Sequence, residues 1–387
     1  MRPARLSALA LLSLIAADAF AAPVSAIWGD LRPGAYSVGV TILQEQDGSR
    51  PALALDHGTT PPGARPMPIV VWYPAKPHST HRLTLREYVE LSASGLGRAA
   101  FTPERRRQAV EAFASEAVAS GLSRSRVDSV LALPLQAVKD AARSSGQFPL
   151  VIFLHATPWG AAVMSEYLAS QGFIVAAIQS KGATEAAYRL SRDNLDAMVE
   201  DAMFVVRRMR KETDITSRLG VIGMSNGAIA ALGLELAGLR PDGIVSLDGG
   251  IGERAGASYL GQRSEGNPTR FTVPLLHLYT PDNPHLDFQS MRSYERSPRM
   301  LASVDHLRHG DFLTGGALER LLPGRVGTAP KNAARGFSTA CRYALYFLRW
   351  RLRGDEGARR FLMLTPEANG VPAGLMKIER LPGSPGR

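Results

Sequence analysis

Short apolar segments alternate regularly with amphipathic segments between residues 148 and 304, and this pattern constrains the fold most strongly. The apolar segments are rich in Val, Ile and Leu, which is typical of strands buried on both faces. The predicted strands are 148–155, 173–180, 218–224, 242–249, 273–279 and, as the last strand, 299–304. Strands that alternate with helices at this spacing predict an α/β fold with a doubly wound, mostly parallel sheet.

Helical spacing marks the segments that connect and follow these strands. The predicted helices are 161–172, 191–211, 228–239 and a closing helix over 336–354. Residues 35–44 and 67–73 predict two strands of an opening hairpin. Residues 82–147 have helical spacing with Ser and Gly breaks, so they are interpreted as a helical insertion and a possible lid.

The first 21 residues have the pattern of a signal peptide. Arg2 and Arg5 precede an apolar run of about 15 residues that ends at Ala19-Phe20-Ala21. We therefore expect an exported protein, periplasmic or secreted, whose residues 22–387 form one domain. No later stretch reaches the roughly 18 apolar residues that predict a membrane span. The lone cysteine, Cys341, excludes an intramolecular disulfide.

Charge and motif content predict neither a nucleic-acid partner nor a cofactor. Lys and Arg outnumber Asp and Glu by 45 to 35, with arginine clusters at 103–108, 205–211 and 357–360. No aromatic interleaving accompanies these clusters, so they are interpreted as solvated helix faces. The sequence has no HExxH, Cys-pair or G-x-G-x-x-G motif, so neither a metal nor a dinucleotide is expected. It gives no indication of an oligomeric state.

The sequence GMSNG places Ser225 between Gly223 and Gly227. As a bare string, G-x-S-x-G is a weak motif, but here it joins a predicted strand to a predicted helix. A sharp strand-to-helix turn needs small residues on both sides and lifts the serine hydroxyl above the sheet. Ser225 is therefore the predicted nucleophile; a helix-capping serine is the structural alternative.

A serine hydroxyl is a weak nucleophile that needs a base, which in this fold class follows the serine and the acid in the chain. The histidines after Ser225 are His277, His285, His306 and His309. His277 lies inside a predicted buried strand, and His285 comes before the helix that precedes the last strand. His309 is favoured over His306 because the chain needs a few residues to turn inward after 299–304. His306 remains the alternative.

Two aspartates could orient the base. Asp248 ends one predicted strand and Asp282 follows the next. Asp248 is favoured because the glycines after it allow a tight exposed turn, whereas Asp282-Asn283-Pro284 is also typical of a plain turn. For the oxyanion, the predicted donors are the backbone N–H groups of Asn226 and of Thr157, in the loop after 148–155. Pro158 has no N–H.

Several segments resemble the α/β-hydrolase superfamily, and more narrowly the branch of platelet-activating-factor acetylhydrolases and dienelactone-hydrolase-like secreted bacterial esterases. The matching segments are 70–75, 148–160, 166–178, 218–227, 244–250, 309–312 and 346–362. The resemblance implies Asp248 as the acid. It also matches His309, because the base of the acetylhydrolase branch has an aromatic residue three positions later, here Phe312.

Together these features predict an exported serine carboxylester hydrolase that works through Ser225, Asp248 and His309 and an acyl-enzyme. The expected substrate is a small-molecule or lipid-like ester with a short- to medium-chain acyl group. An amide or lactone hydrolase would use the same triad. The other alternative is a non-catalytic binding protein that keeps the fold.

Overall fold

The fold is described from a computed structural model of the 387-residue chain. It describes residues 24–53, 63–77, 81–93, 101–180, 182, 189–326, 330 and 332–384. The predicted signal peptide, residues 1–21, lies outside the described residues. So does part of the predicted insertion, residues 94–100.

Eleven strands of the described chain form one sheet. They are β1 (Ser37–Pro51), β2 (Ala64–Ala75), β3 (Arg82–Thr84), β4 (Pro134–Lys139), β5 (Phe148–Leu154), β6 (Ile174–Ile178), β7 (Ile215–Met224), β8 (Gly243–Leu247), β9 (Leu275–Tyr279), β10 (Arg299–Val304) and β11 (Met376–Leu381). Their order across the sheet is β11-β10-β9-β8-β7-β5-β6-β2-β1-β4-β3.

The six strands from β5 to β10 run parallel in the middle of this sheet, as predicted. The chain order reverses between β5 and β7, so their carboxyl ends lie side by side. Ligands of open α/β sheets bind at such a switch point. The opening hairpin is confirmed, because β1 pairs antiparallel with β2.

Helices surround the sheet. They are α1 (Leu85–Leu91), α2 (Pro103–Ala119), α3 (Arg124–Leu131), α4 (Pro158–Ser170), α5 (Arg192–Met209), α6 (Asn226–Leu236), α7 (Arg254–Arg263), α8 (Gln289–Arg292), α9 (Thr314–Leu318), α10 (Ala333–Arg353) and α11 (Glu356–Met363).

Both faces of the central sheet are buried, which is why its strands are almost entirely apolar. In β5, Leu150 and Ile152 belong to the core shared with α5 and α6. Val151 and Phe153 belong to the core on the other face, with α4 and α10. Helices therefore cover both faces, which confirms the predicted doubly wound architecture.

The predicted helical insertion is helical only in part, because it also contains two strands. Residues 134–139 form strand β4, which pairs parallel with β1, and residues 82–84 form strand β3 beside it. Helical spacing misled here because PLQAVK is a short strand of mixed polarity, paired with β1 on one side and with the short edge strand β3 on the other. The insertion therefore extends the sheet as well as adding helices α1 to α3.

The prediction that 299–304 is the last strand is also wrong. Residues 376–381 form β11, which pairs antiparallel with β10 along its whole length. Its sequence, MKIERL, alternates only weakly because it covers a sheet edge, so it carries no strong strand signal. Within the described chain, no helix is both long enough and apolar enough to cross a bilayer.

Candidate active site

Ser225 lies between the end of β7 and the start of α6, in a strained conformation. Its φ is 53° and its ψ is −122°, a backbone region that non-glycine residues rarely adopt. The strain is held by the backbone: Ser225 N–H donates to the Leu247 carbonyl at 3.1 Å, and the Ser225 carbonyl accepts from Gly250 N–H at 3.1 Å. The chain is thus fixed to strand β8 at the point where it turns from strand to helix.

The glycines on both sides of Ser225 are required by close backbone contacts. A Cβ at Gly223 would lie 2.4 Å from the Ala228 backbone nitrogen. A Cβ at Gly227 would lie 2.6 Å from the Leu154 carbonyl oxygen and 2.9 Å from His155 Cβ. The turn therefore packs directly against the end of β5, and only glycine fits at either position.

Asp248 and His309 form a hydrogen-bonded pair at the carboxyl ends of the parallel strands, where Ser225 also lies. His309 Nδ1 lies 2.6 Å from Asp248 Oδ2. The other carboxylate oxygen, Oδ1, accepts from the Thr280 backbone N–H at 3.0 Å. The Asp248 side chain is 2% exposed, whereas that of His309 is 51% exposed. The buried carboxylate thus binds the imidazole through Nδ1. Nε2 is then the ring nitrogen that can act as the base, which is the geometry of an oriented base.

Two histidines near these strand ends have opposite pKa shifts. The hydrogen bond to Asp248 raises the pKa of His309, burial opposes that rise, and the charges of Asp248 and Glu253 add to it. Burial, together with the charge of His309, lowers the pKa of His155 to about 4. An imidazole with so low a pKa is a weak proton acceptor at pH 7, so His155 is not suited to be the base.

Salt bridges fix the loop that carries His309. The Arg308 guanidinium binds the buried Asp311 carboxylate through two contacts, Nε to Oδ2 at 2.8 Å and Nη2 to Oδ1 at 2.9 Å. Arg308 also pairs with Glu319. Because these bonds span the short turn 309–312, the imidazole is carried on a rigid segment.

A cavity of about 460 Å³ brings the three predicted triad residues together: Ser225, Asp248 and His309 all line it. The oxyanion donors predicted from the sequence follow β7 and β5, at the carboxyl ends of these strands. Asn226 is the first residue of α6, where backbone N–H groups have no partner within the helix. Thr157 caps α4 through its side-chain oxygen, which accepts from Gly160 N–H at 3.2 Å. Neither residue is among those that line the cavity.

The alternative residues lie in distinct places. Asp282 and His285 line the cavity, but the carboxylate that contacts His309 is that of Asp248. His306 is exposed and does not line the cavity. His277 is fully buried in β9, as predicted, and its Nδ1 lies 2.8 Å from Ser246 Oγ.

Sequence reasoning missed Glu253, which lines the cavity and acts electrostatically on His309. It also missed the backbone of Thr280, which fixes Asp248. Neither residue belongs to a motif, so only the packing of the loops after β8 and β9 reveals them. Within the described residues, no cluster of three or more His, Cys, Asp or Glu side chains could hold a metal ion.

The hydrogen bond between Asp248 and His309 predicts how the activity depends on pH. A base must be neutral, so activity should fall as the pH drops through the raised pKa of His309. Asp248→Asn removes the largest cause of that rise, so the pKa of His309 should fall and the acidic limb should move to lower pH. A titration of the His309 ring by proton NMR, assigned with His309→Ala, measures this shift. An unchanged or higher pKa in Asp248→Asn would contradict the assignment of the pair.

Comparison with known proteins gives the fold. No protein-family model matches the chain, and no curated protein matches it. Among solved structures, the ferulic acid esterase from Streptomyces cinnamoneus is similar with a TM-score of 0.55 and 19% sequence identity, over 82% of this chain and 91% of that chain. At this identity the likeness concerns the fold alone. The chain therefore shares the architecture of that esterase, a mostly parallel α/β sheet flanked by helices.

Proposed function

We propose that this chain is a serine carboxylester hydrolase. The observation that carries the proposal is one cavity lined by a strained serine at a strand-to-helix turn and by a histidine paired at 2.6 Å with a buried aspartate. A serine, an oriented base and a buried acid in this arrangement perform acyl transfer on several unrelated folds. The structural similarity to a ferulic acid esterase supports ester bonds as the target.

In the proposed mechanism, Ser225 Oγ attacks the ester carbonyl carbon while His309 Nε2 takes the hydroxyl proton. Asp248 holds the ring through Nδ1 and stabilises the imidazolium. The backbone N–H groups of Asn226 and Thr157 donate to the oxyanion of the tetrahedral intermediate. His309 returns its proton to the leaving alkoxide, which departs as the alcohol and leaves an acyl-enzyme. Water then attacks the acyl-enzyme with His309 again as the base, which releases the acid and restores Ser225.

The proposal includes export to the periplasm or beyond, on the basis of residues 1–21, and one domain over residues 22–387. A cavity of about 460 Å³ is within the usual range for small-molecule sites, so we expect short- to medium-chain acyl groups. The insertion is still proposed as a lid, although its described residues do not line the cavity.

Hydrolysis of p-nitrophenyl esters from acetate to decanoate tests this function. The mature chain should release p-nitrophenol with a maximum at short or medium length, and Ser225→Ala should lower kcat/KM by roughly 10⁴- to 10⁶-fold. Equal activity in Ser225→Ala would contradict the proposal. A folded chain that cleaves only amides or lactones would favour the alternative bond, and one that cleaves nothing would favour a binding protein.

A further inference from the structure

Two neighbouring loops form one wall of the cavity at Ser225. The loop after β8 contributes Asp248 and Glu253, and the loop after β9 contributes residues from Thr280 to His285. The loops are bound to each other through the backbone, because Glu253 and Leu286 form an antiparallel bridge and Asp287 N–H donates to the Gly252 carbonyl at 2.6 Å. The wall is therefore a fixed surface of the site.

This wall carries negative charge. The titratable lining groups besides the two histidines are three carboxylates and one guanidinium: Asp248, Glu253, Asp282 and Arg308. Asp248 is engaged with His309, and the Arg308 charge is matched by Asp311 and Glu319. Among the described residues, no salt bridge engages Glu253 or Asp282, so their charges remain to act on a bound molecule.

The position of Glu253 is fixed by its own contacts. Its Oε1 accepts from Asn283 Nδ2 at 2.9 Å, and its backbone begins helix α7. It is close enough to His309 for its charge to act on the imidazole. Glu253 therefore lies near the reacting centre, while Asp282 is exposed at the rim of the same cavity.

We propose that Glu253 and Asp282 select substrates by charge. The cavity prefers esters whose leaving group carries a cation over their neutral isosteres, and it disfavours esters whose leaving group carries a carboxylate. The inference rests on the proposed ester hydrolysis at Ser225 and specifies its substrate class. It runs against the charge of the whole chain, which is formally +10 and by itself would attract anions.

Three thioesters of acetate with closely similar leaving groups test the proposal. They are the cationic acetylthiocholine, its neutral carbon isostere 3,3-dimethylbutyl thioacetate, and the anionic S-acetyl-3-mercaptopropionate. Release of the thiol is followed with 5,5′-dithiobis(2-nitrobenzoate). At low salt we expect kcat/KM to be roughly five- to thirtyfold higher for the cationic ester than for the neutral isostere, and lowest for the anionic ester. Added salt should reduce the differences because Glu253 and Asp282 are not fully buried.

The variants Glu253→Gln and Asp282→Asn should each lower the ratio of kcat/KM for the cationic ester to that for the anionic ester by at least about threefold. Glu367→Gln is the matched control, since it removes the same charge from an exposed turn that does not line the cavity, and it should leave the ratio unchanged. If Glu253→Gln fails to fold, Asp282→Asn still carries the test because Asp282 is exposed.

The outcomes separate the two proposals. If the wild-type chain cleaves the neutral thioester but shows no cation preference, or if neither variant changes the ratio, charge selection is wrong and ester hydrolysis stands. If the wild-type chain cleaves none of the thioesters and none of the p-nitrophenyl esters, the proposed function itself is wrong. A preference for the anionic ester would overturn the charge selection directly.

Discussion

Replacing His309 with alanine is expected to lower kcat/KM for p-nitrophenyl butyrate by roughly 10⁴- to 10⁶-fold. The reason is that His309 is the imidazole paired with Asp248 at 2.6 Å on the lining of the Ser225 cavity. Without it, no base would take the serine proton. Because members of such a set act as one unit, Ser225→Ala combined with His309→Ala should be no slower than either single variant.

His306 provides the matched control for this prediction. It lies three residues before His309 on the same loop, but it is exposed and does not line the cavity. Its φ is 64°, so asparagine, which tolerates the left-handed region, is a better replacement than alanine. His306→Asn should change kcat/KM by less than about twofold. A loss with His306→Asn that matches the loss with His309→Ala would contradict the assignment of the base.

Replacing Glu166 with alanine should be the most destabilising of the single substitutions considered. Glu166 is fully buried in α4, and its carboxylate accepts four hydrogen bonds. The donors are Trp28 Nε1 at 3.0 Å, Tyr88 Oη at 2.7 Å, Gln136 N–H at 2.9 Å and Ala137 N–H at 2.9 Å. Alanine would leave these buried donors without an acceptor and open a cavity, so we expect a loss of at least about 3–5 kcal/mol in the free energy of unfolding.

Urea unfolding followed by circular dichroism measures this loss. Glu111→Ala is the control, because the Glu111 side chain is 58% exposed in α2, and it should change stability by no more than about 0.5 kcal/mol. A loss below about 1 kcal/mol for Glu166→Ala would show that the four hydrogen bonds are not needed to hold these elements together.

Glu166 also connects the insertion to the rest of the fold. Two of its donors lie in β4 and one, Tyr88, lies in α1, so the insertion is bound to α4 in the interior. A second contact joins helix α2 of the insertion to α4. The Arg325 guanidinium lies over Phe113 of α2 and over Trp159 of α4, at 4.9 Å and 5.2 Å from the ring centroids. Deletion of residues 82–146 should therefore prevent folding, so a role as a lid must be tested by substitution within the insertion.

The sequence predicted the centre of the fold well because strands β5 to β10 are buried on both faces. Such strands must be apolar throughout, and this signal does not depend on the rest of the chain. Strand β11, at one edge of the sheet, and strand β4, next to the other edge, were missed for the opposite reason. PLQAVK and MKIERL have mixed polarity, and they are strands because β1 and β10 offer them hydrogen-bonding partners.

The candidate site was predictable only in part. Ser225 could be placed because the two glycines that its turn requires are visible in the sequence. The acid could not be settled, since Asp248 and Asp282 follow adjacent strands at the same edge of the sheet. In the structure Asp248 has a φ of 41°, and it is the Asp248 carboxylate that contacts His309. Glu253 is brought to the cavity by the pairing of two loops, which no local pattern encodes.

The central claim is that Ser225 is an activated nucleophile, and covalent labelling tests it most directly. The folded mature chain would be incubated with a fluorophosphonate probe, digested and analysed by mass spectrometry. The account predicts one adduct, on the peptide that contains Ser225, at a rate that falls sharply in His309→Ala and not in His306→Asn. A folded chain that takes up no probe, or that carries the adduct on another residue, would contradict the account.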